Sequence, residues 1–421
     1  MPSRTDQFDV VVAGGGSSGV AAAAAAARTG ADTLLVERFS CLGGASTMRS
    51  VVTYCGLYTL DSQPKIAVGG IAKEVSERLE ARGAITGPIR HRGVFVVFEP
   101  EAVKIVLDEL VAEAGVTVMH GAFLAEAERE DGKILSVTVA THSGLHKIKA
   151  KAFVDCTGEG DLAARAGAAT RYGNGMHVNL GTLSTRFGGI ARDASVTVED
   201  VVGVIAAMGE MRSTVTKDRS VIARLPISGD LVCYLASEDY NPLDNFSMSG
   251  AERRGRQQAW KYLDEIKKIP GCEAAYLVTT GPEFGTRESR HLKCLSQLTW
   301  HDVGQRKKFN DCIALGTWGA EWHDRDSFES SFDYPPGRAT YEIPLSCLQS
   351  IDTPNLVCGG RLADGDRKAS AAIRVMGTAF ATGQAAGVAA ALSAAGEWTA
   401  SDVQKILRVQ GCILSPSEIK S

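Results

Sequence analysis

The stretch that most constrains this chain is its beginning, FDVVVAGGGSSGVAAAAAAARTGADTLLVERFSCLGG, residues 8–44. It reads as strand, glycine turn, helix and strand, with a carboxylate at the end. An apolar strand from Val10 to Ala13 runs into Gly14, Gly16 and Gly19 in G-x-G-x-x-G spacing. The alanine run to Ala27 forms a helix that Gly30 stops, and Thr33 to Val36 forms the second strand, with Glu37 and Arg38 at its tip. Gly14 permits the tight turn, Gly16 lets the backbone approach a pyrophosphate, and Gly19 lets the helix pack closely on the strand. Ser17 and Ser18 open the helix, whose N-terminus offers unpaired N–H groups and the positive end of a dipole. Glu37 follows at roughly 20 residues, where a carboxylate binds both hydroxyls of a ribose. The pattern predicts a bound dinucleotide. The bland alternative is a glycine-rich turn in an ordinary α/β protein.

At 421 residues there is length for two or three domains. Net charge is −4 and no basic–aromatic stripe occurs, so nothing points to nucleic acid or an anionic membrane. The polar residues MPSRTDQ run straight into the first strand, leaving no room for a signal peptide. The alanine run is short and broken by Arg28 and Gly30, so no membrane span is expected. Ten cysteines are scattered without any C-x-x-C pair, which argues against a zinc knuckle or iron–sulfur cluster and suits a reducing cytoplasm. No metal site is expected. A homo-oligomer is left open.

Alternating strand and helix patterns over residues 1–170 predict a parallel sheet with helical crossovers and a small antiparallel meander. A helix is expected over 65–83 and another from about Pro100. A hairpin is expected at Ser143-Gly144, and a further strand from Ala152 to Cys156. From 171 to 334 the texture changes to strand pieces and charged helices, an inserted α+β domain. Residues 335–421 return to the first texture, with a long small-residue helix over IRVMGTAFATGQAAGVAAALSAAG. The predicted fold class is α/β: a doubly wound, Rossmann-like domain interrupted by an α+β substrate domain.

Three features select FAD over NAD. LGGAST follows the ribose acid directly, a second glycine loop suited to passing a phosphate or an isoalloxazine edge. VDCTGEGDLAARAGA carries another glycine turn. The third feature is the C-terminal helix, which starts near Arg374 to Gly377 after a strand ending Gly359-Gly360-Arg361 and would aim its N-terminus at a flavin edge.

With those stretches, and with FEPEAVKIVLDEL, FGTRESRHL, YEIPLSCL and NLVCGGRLADGD, nearly the whole chain resembles FAD-dependent oxidoreductases that share a fold with the fumarate reductase flavoprotein. It is more closely similar to stand-alone relatives of the flavin subunit of heterodisulfide reductase. The resemblance implies that the pyrophosphate lies on Gly14 to Gly19 and the adenosine ribose on Glu37. It puts Gly43, Gly44 and Ser46 along the ribityl and flavin, and the adenine at the backbone near Ala122 and Phe123. Thr157, Gly158 and Asp161 would line the phosphate side, with Gly360 and Arg361 beside them. Arg374, Met376, Gly377 and Thr378 would face the pyrimidine edge. Related sequences often carry a histidine after the aspartate that follows Gly360-Arg361. Here the run is Asp364-Gly365-Asp366-Arg367, so Arg367 stands as the candidate at that place. A second dinucleotide fingerprint and a C-x4-C pair are both absent, so a built-in NADPH site and disulfide chemistry are not expected.

For the chemistry, Arg287 in FGTRESRHL can hold a substrate carboxylate in a two-pronged pair, or belong to an inter-domain ion-pair cluster with Glu288 holding an arginine. His323 in GTWGAEWHDRD, read as a loop, can take a proton while hydride leaves a neighbouring carbon, or sit at the surface. Tyr54 falls where a residue could reach the flavin face. Tyr341, with Arg338, could close the substrate pocket. His91, His120, His142, His146 and His177 have no chemical company in sequence. The reading is a flavoenzyme that moves a hydride between a small anionic or polar substrate and flavin N5. Oxygen, a quinone or a carrier protein would complete the cycle. An electron-transfer subunit of a larger complex is the alternative.

Overall fold

The computed structural model describes residues 7–175 and 178–420. The first strand, Gln7–Ala13, lies in the middle of a parallel sheet, and its apolar VVVA run is buried as a strand covered on both faces must be. It pairs with Thr33–Val36 on one side and Gly144–Asp155 on the other, in a register that brings Ala13 level with Val36 and Asp155. Thr117–Met119 extends the sheet beyond Thr33–Val36, and Leu356–Cys358 pairs in parallel with the end of Gly144–Asp155. The hairpin at Ser143-Gly144 is present. The strand after it does not stop and restart near Ala152 but runs unbroken over Gly144–Asp155. Its first half pairs antiparallel with Lys133–Thr141, and its second half joins the parallel sheet. With Phe123–Glu130 closing the meander, this is a Rossmann-like α/β sheet.

The helix expected over 65–83 is confined to Gly70–Glu80. Ala67 and Val68 instead bond back to the Leu57 carbonyl, and the left-handed Gly70 opens the helix.

Two helices cover the sheet at its centre. Ser17–Arg28 is almost all alanine, and Ala21 to Ala26 are fully buried. Met376–Ala395 lies against it so closely that a Cβ on Gly383 would overlap the Ser18 carbonyl oxygen and one on Gly387 that of Ala22. Neither helix shows a strong polar-to-apolar asymmetry, because both are enclosed. Among the described residues no single helix is long and apolar enough to cross a membrane. The pair Arg367–Ile373 and Met376–Ala395 reaches that length only across a 92° bend.

A second core lies between Val178 and Phe284. Ile222–Arg224, Leu231–Glu238, Gly181–Gly188 and Tyr276–Thr280 form an antiparallel sheet backed by the helix Asn245–Ile266. Leu183, Phe187, Leu235, Tyr262, Ile266 and Phe284 fill the space between them. Residues from Leu292 onward return to the first core. The stretch read as a loop around His323 is a hairpin, Ala320–His323 paired with Ser330–Asp333. Its few apolar positions hide the strand period. By alternation Glu321 and His323 share one face and Trp322 takes the other.

The helix contact sets a testable asymmetry. Gly387→Ala should destabilise the protein by about 2–3 kcal/mol, because the added methyl overpacks a backbone contact. Gly203→Ala, in the helix Val198–Ala206 with open space around it, should stabilise by about 0.5–1 kcal/mol. Chemical denaturation of both variants checks this.

Candidate functional site

A cleft opens at the carboxyl ends of Gln7–Ala13, Thr33–Val36 and Gly144–Asp155, the place where open α/β sheets bind ligands. The glycine turn forms its floor. Gly14 has φ +95°, and a Cβ there would lie 2.5 Å from the Cys156 carbonyl oxygen. A Cβ on Gly16, by contrast, would point into open space, with only the Gly44 Cα at 3.9 Å. Two helices open onto the cleft without a side-chain cap: Ser17–Arg28 behind Gly16, and Met376–Ala395 behind Val375. Two buried polar atoms on residues that line it have no partner among the described residues: Ser17 Oγ and Arg374 Nε. Uncapped helix ends and orphaned donors suit an anionic ligand such as a diphosphate.

Glu37 lines the cleft with both oxygens already engaged. Oε2 accepts from Gly15 N at 2.6 Å and Oε1 from Phe39 N at 2.9 Å, so the carboxylate ties the second strand to the glycine turn. The Ala122 N–H donates to the Glu37 carbonyl at 3.0 Å, and Ala122 and Phe123 line the same end. On the far wall, Asp155 accepts from Thr157 N, Thr157 Oγ1 and Ala163 N, and this fixes the turn that carries Thr157, Gly158 and Asp161. Burial holds its pKa above the ordinary carboxylate value despite those bonds.

A charged network braces this wall. Glu159 Oε1 takes Arg49 at 3.1 Å and also pairs with Arg361, while Thr286 Oγ1 accepts from both arginines at 2.6 and 2.7 Å. Glu283 pairs with Arg49 at 2.8 Å and with Arg38. Burial alone would raise Glu159, but Arg361 and Arg49 outweigh it and bring it down to about 2. Burial, helped by the neighbouring Arg361, lowers Arg49 to about 10. Arg49, Glu159 and Glu283 were not singled out in the sequence, since nothing in their spacing shows that they meet.

Arg374 links the cleft to a second cluster. It lines the cleft and reaches Glu321, at 3.2 Å to the carbonyl and 3.7 Å to the carboxylate. Glu321 Oε1 lies 3.6 Å from His323 Nε2, and Lys217 Nζ lies 3.1 Å from His323 Nδ1. Arg287 donates through Nη1 to the Leu180 carbonyl and, at 3.0 Å, to Thr182 Oγ1. Its Nε and Nη2 make no hydrogen bond among the described residues. Burial is the first cause that lowers Arg287 to about 10, and Arg374 adds to it.

A family model described as FAD dependent oxidoreductase matches residues 9–413. The chain belongs to the FAD-dependent oxidoreductase family. No curated protein matches its sequence. Among solved structures it is similar to a geranylgeranyl bacteriochlorophyll reductase-like protein from Thermoplasma acidophilum, at 14% identity and TM-score 0.51, over 96% of this chain and 83% of that one. It is also similar to BexE, studied for oxidation during BE-7585A biosynthesis, at 14% identity and TM-score 0.50, over 96% of this chain and 66% of that one. Likeness at that identity speaks for the fold alone. The cofactor of this FAD-dependent oxidoreductase is FAD.

The expected cofactor residues divide into two groups. Gly14, Gly16, Ser17, Ser18, Glu37, Arg38, Gly44, Ala122, Phe123, Thr157, Gly158, Asp161, Gly360, Arg361, Arg374 and Met376 line the cleft. Gly19, Gly43, Ser46, Gly377 and Thr378 lie behind its wall. A Cβ on Gly19 would overlap the Gly14 carbonyl, and one on Gly377 the Cys55 carbonyl, so both serve backbone packing. Gly43 N donates to the Gly15 carbonyl and Ser46 Oγ to that of Gly43.

Of the chemical candidates, Arg287 and His323 come together in the second cluster, and three others do not. Tyr54 is in the core, its ring 4.1 Å from Phe98 and 5.4 Å from Phe380, because the alternation of Thr53–Cys55 turns it inward. Tyr341 is also buried. Its hydroxyl donates to the Trp318 carbonyl at 3.0 Å, and its ring covers Gly316. Arg367 is exposed and stacks on Trp322 at 3.9 Å, at the start of a helix capped by Asp366. Arg338 lies over Tyr334. Glu288 holds no arginine among the described residues. It accepts from Asn179 N at 2.8 Å and meets His291 Nε2 at 3.1 Å. His91, His120 and His142 are exposed, His146 bonds Ser143, and His177 lies outside the described residues.

Glu37→Gln keeps the shape but puts an amide donor against a backbone N–H. A charge-assisted bond is worth about 1.5–3 kcal/mol, so FAD affinity should fall at least about tenfold. Equilibrium dialysis of the purified variant reads this. Wild-type retention would remove Glu37 from the cofactor site.

Proposed function

We propose that this FAD-dependent oxidoreductase moves a hydride between a small anionic organic substrate and the flavin, with the substrate between Arg287 and Arg374. The observation that carries the reading is a charge excess. Two guanidiniums, Arg287 and Arg374, lie by the one carboxylate of Glu321, and Arg374 also lines the cleft. Buried charge is costly unless paired, and a substrate carboxylate would supply the missing partner. Arg287 holds Nε and Nη2 open for it, the side of the guanidinium that forms a two-pronged pair.

In this reading Gly14, Gly16, Ser17 and Ser18, at the first helix N-terminus, would hold the pyrophosphate. Glu37, Ala122 and Phe123 would hold the adenosine, and Arg374 and Met376 would hold the flavin. Bound FAD supplies the hydride acceptor or donor at N5. The Arg49–Glu159–Arg361 network keeps the wall rigid, and Arg287 orients the substrate's reacting carbon. Oxygen, a quinone or a carrier protein would exchange electrons in the second half-reaction. The likeness to stand-alone relatives of the heterodisulfide reductase flavin subunit belongs to this proposal.

The test is anaerobic mixing with a panel of 2-hydroxy acids, amino acids and neutral sugars, followed by flavin absorbance. Reduction by an acid and not by its amide supports the reading, and reduction only by neutral compounds contradicts it. Arg287→Lys keeps the charge but loses the fork. Flavin content should stay constant while reduction by the active acid slows about ten- to a hundredfold, the equivalent of one charged hydrogen bond. Equal rates would return Arg287 to a structural role.

A further inference from the structure

Lys217 belongs to no motif, yet the fold puts its amine inside the charged cluster. The residue is 7% exposed. Its backbone is clamped by Tyr262, whose hydroxyl accepts from Lys217 N at 3.0 Å and donates to Lys217 O at 2.7 Å. Nζ reaches one partner among the described residues, His323 Nδ1 at 3.1 Å. An ammonium carries three donors, so this one is undersupplied with acceptors.

His323 is held just as firmly. Its N–H donates to Asn179 Oδ1 at 3.0 Å, its carbonyl accepts from Leu180 N at 3.1 Å, and Asn179 Nδ2 donates to the Glu321 carbonyl at 2.9 Å. Burial and Arg287 push its pKa well below 6.5 against the pull of Glu321, so the imidazole is neutral. The tautomer that satisfies both neighbours carries its proton on Nε2, towards Glu321, and accepts at Nδ1 from Lys217. The lone pair of that tautomer sits on Nδ1 against Lys217, so the ring has no free lone pair for a substrate.

We propose that Lys217 is the residue that exchanges the substrate's proton, and that His323 is a positioning residue that holds the amine. The proposal rests on the function given above, in which Arg287 anchors the substrate. In the oxidative direction the substrate's C–H leaves with two electrons as hydride to the flavin. The proton of the adjoining O–H or N–H passes to Lys217 Nζ, which goes from amine to ammonium, and a C=O or C=N bond forms. The groups facing Lys217 are Arg287, Arg92, Glu321, Asp218 and His323. Burial lowers its pKa first, then Arg287 and Arg92, with Glu321 and Asp218 opposing, and the result is about 7. Arginine stays charged throughout the working range, so Lys217 is the cluster's group poised near neutrality, where a general base is most effective.

Two measurements test this, and the first needs no substrate. A lysine titrating near 7 when folded and near about 10.4 when unfolded sheds its proton on folding between those values, so its folded state is penalised below that window. Unfolding free energy of the wild type should therefore gain on Lys217→Met as pH rises from 7 to 10, with the variant more stable at pH 7. A difference that does not change with pH overturns the proposal. The second is the pH dependence of flavin reduction by whichever panel acid is active. In the wild type the rate should rise through pH 7 to a plateau. Lys217→Met should keep its FAD, lose at least about a hundredfold in rate and lose the limb near pH 7. His323→Gln should keep a limb at a shifted position. A Lys217→Met rate and profile like the wild type, or a limb lost in His323→Gln but kept in Lys217→Met, overturns it. If no acid reduces the flavin, the function proposed above fails, and the stability comparison still decides whether Lys217 is an amine at neutral pH.

Discussion

The architecture depends on a contact between two helices that have almost no side chains. Gly383 and Gly387 of Met376–Ala395 meet the backbone of Ser18 and Ala22 with no room for a methyl group. The alanine-rich face of Ser17–Arg28 permits the same approach from the other side. Close packing of this kind fixes the relative position of two uncapped N-termini, and both open on one cleft. Dispersion and burial in the helix bodies therefore set the electrostatics at their ends.

A second constraint is charge. On the wall of the cleft every arginine named has a carboxylate partner: Arg49 and Arg361 share Glu159 and Thr286, and Glu283 takes Arg38 and Arg49. The cluster beyond Arg374 is open, with cations in excess of Glu321. Arg287 in that cluster has no carboxylate within ion-pair distance among the described residues, and the proposed substrate site rests on that contrast. The hairpin Ala320–His323 with Ser330–Asp333 delivers Glu321 and His323 to the open side, and Arg367 stacked on Trp322 covers its outer face.

What could be read from the sequence was what depends on local spacing. The glycine turn, the second strand with Glu37, the meander and the long C-terminal helix are each written in a contiguous run, and the family follows from them. Misassigned residues were those whose facing depends on tertiary pairing. Tyr54 lies next in sequence to the loop expected at the flavin, but strand alternation turns it into the core against Phe98 and Phe380. Tyr341 is occupied by Trp318. Lys217 and Arg49 were invisible because their partners are over a hundred residues away, His323 in one case and Glu159 in the other. A polar strand such as AEWH shows too little alternation to be told from a loop.

The most direct test of the account concerns Gly16. Its backbone is not left-handed, and beyond its chain neighbours a Cβ there would meet no protein atom closer than the Gly44 Cα at 3.9 Å. Gly16→Val should therefore leave the apoprotein folded and about as stable as the wild type, while its bulk fills the space assigned to the pyrophosphate. The measurement is FAD binding by the apoproteins, with circular dichroism and thermal unfolding as the control. The account predicts normal spectra and melting for both proteins, and at least about a hundredfold weaker FAD binding in the variant, the equivalent of nearly 3 kcal/mol. Full FAD binding by a normally folded Gly16→Val protein would contradict the placement of the cofactor in this cleft.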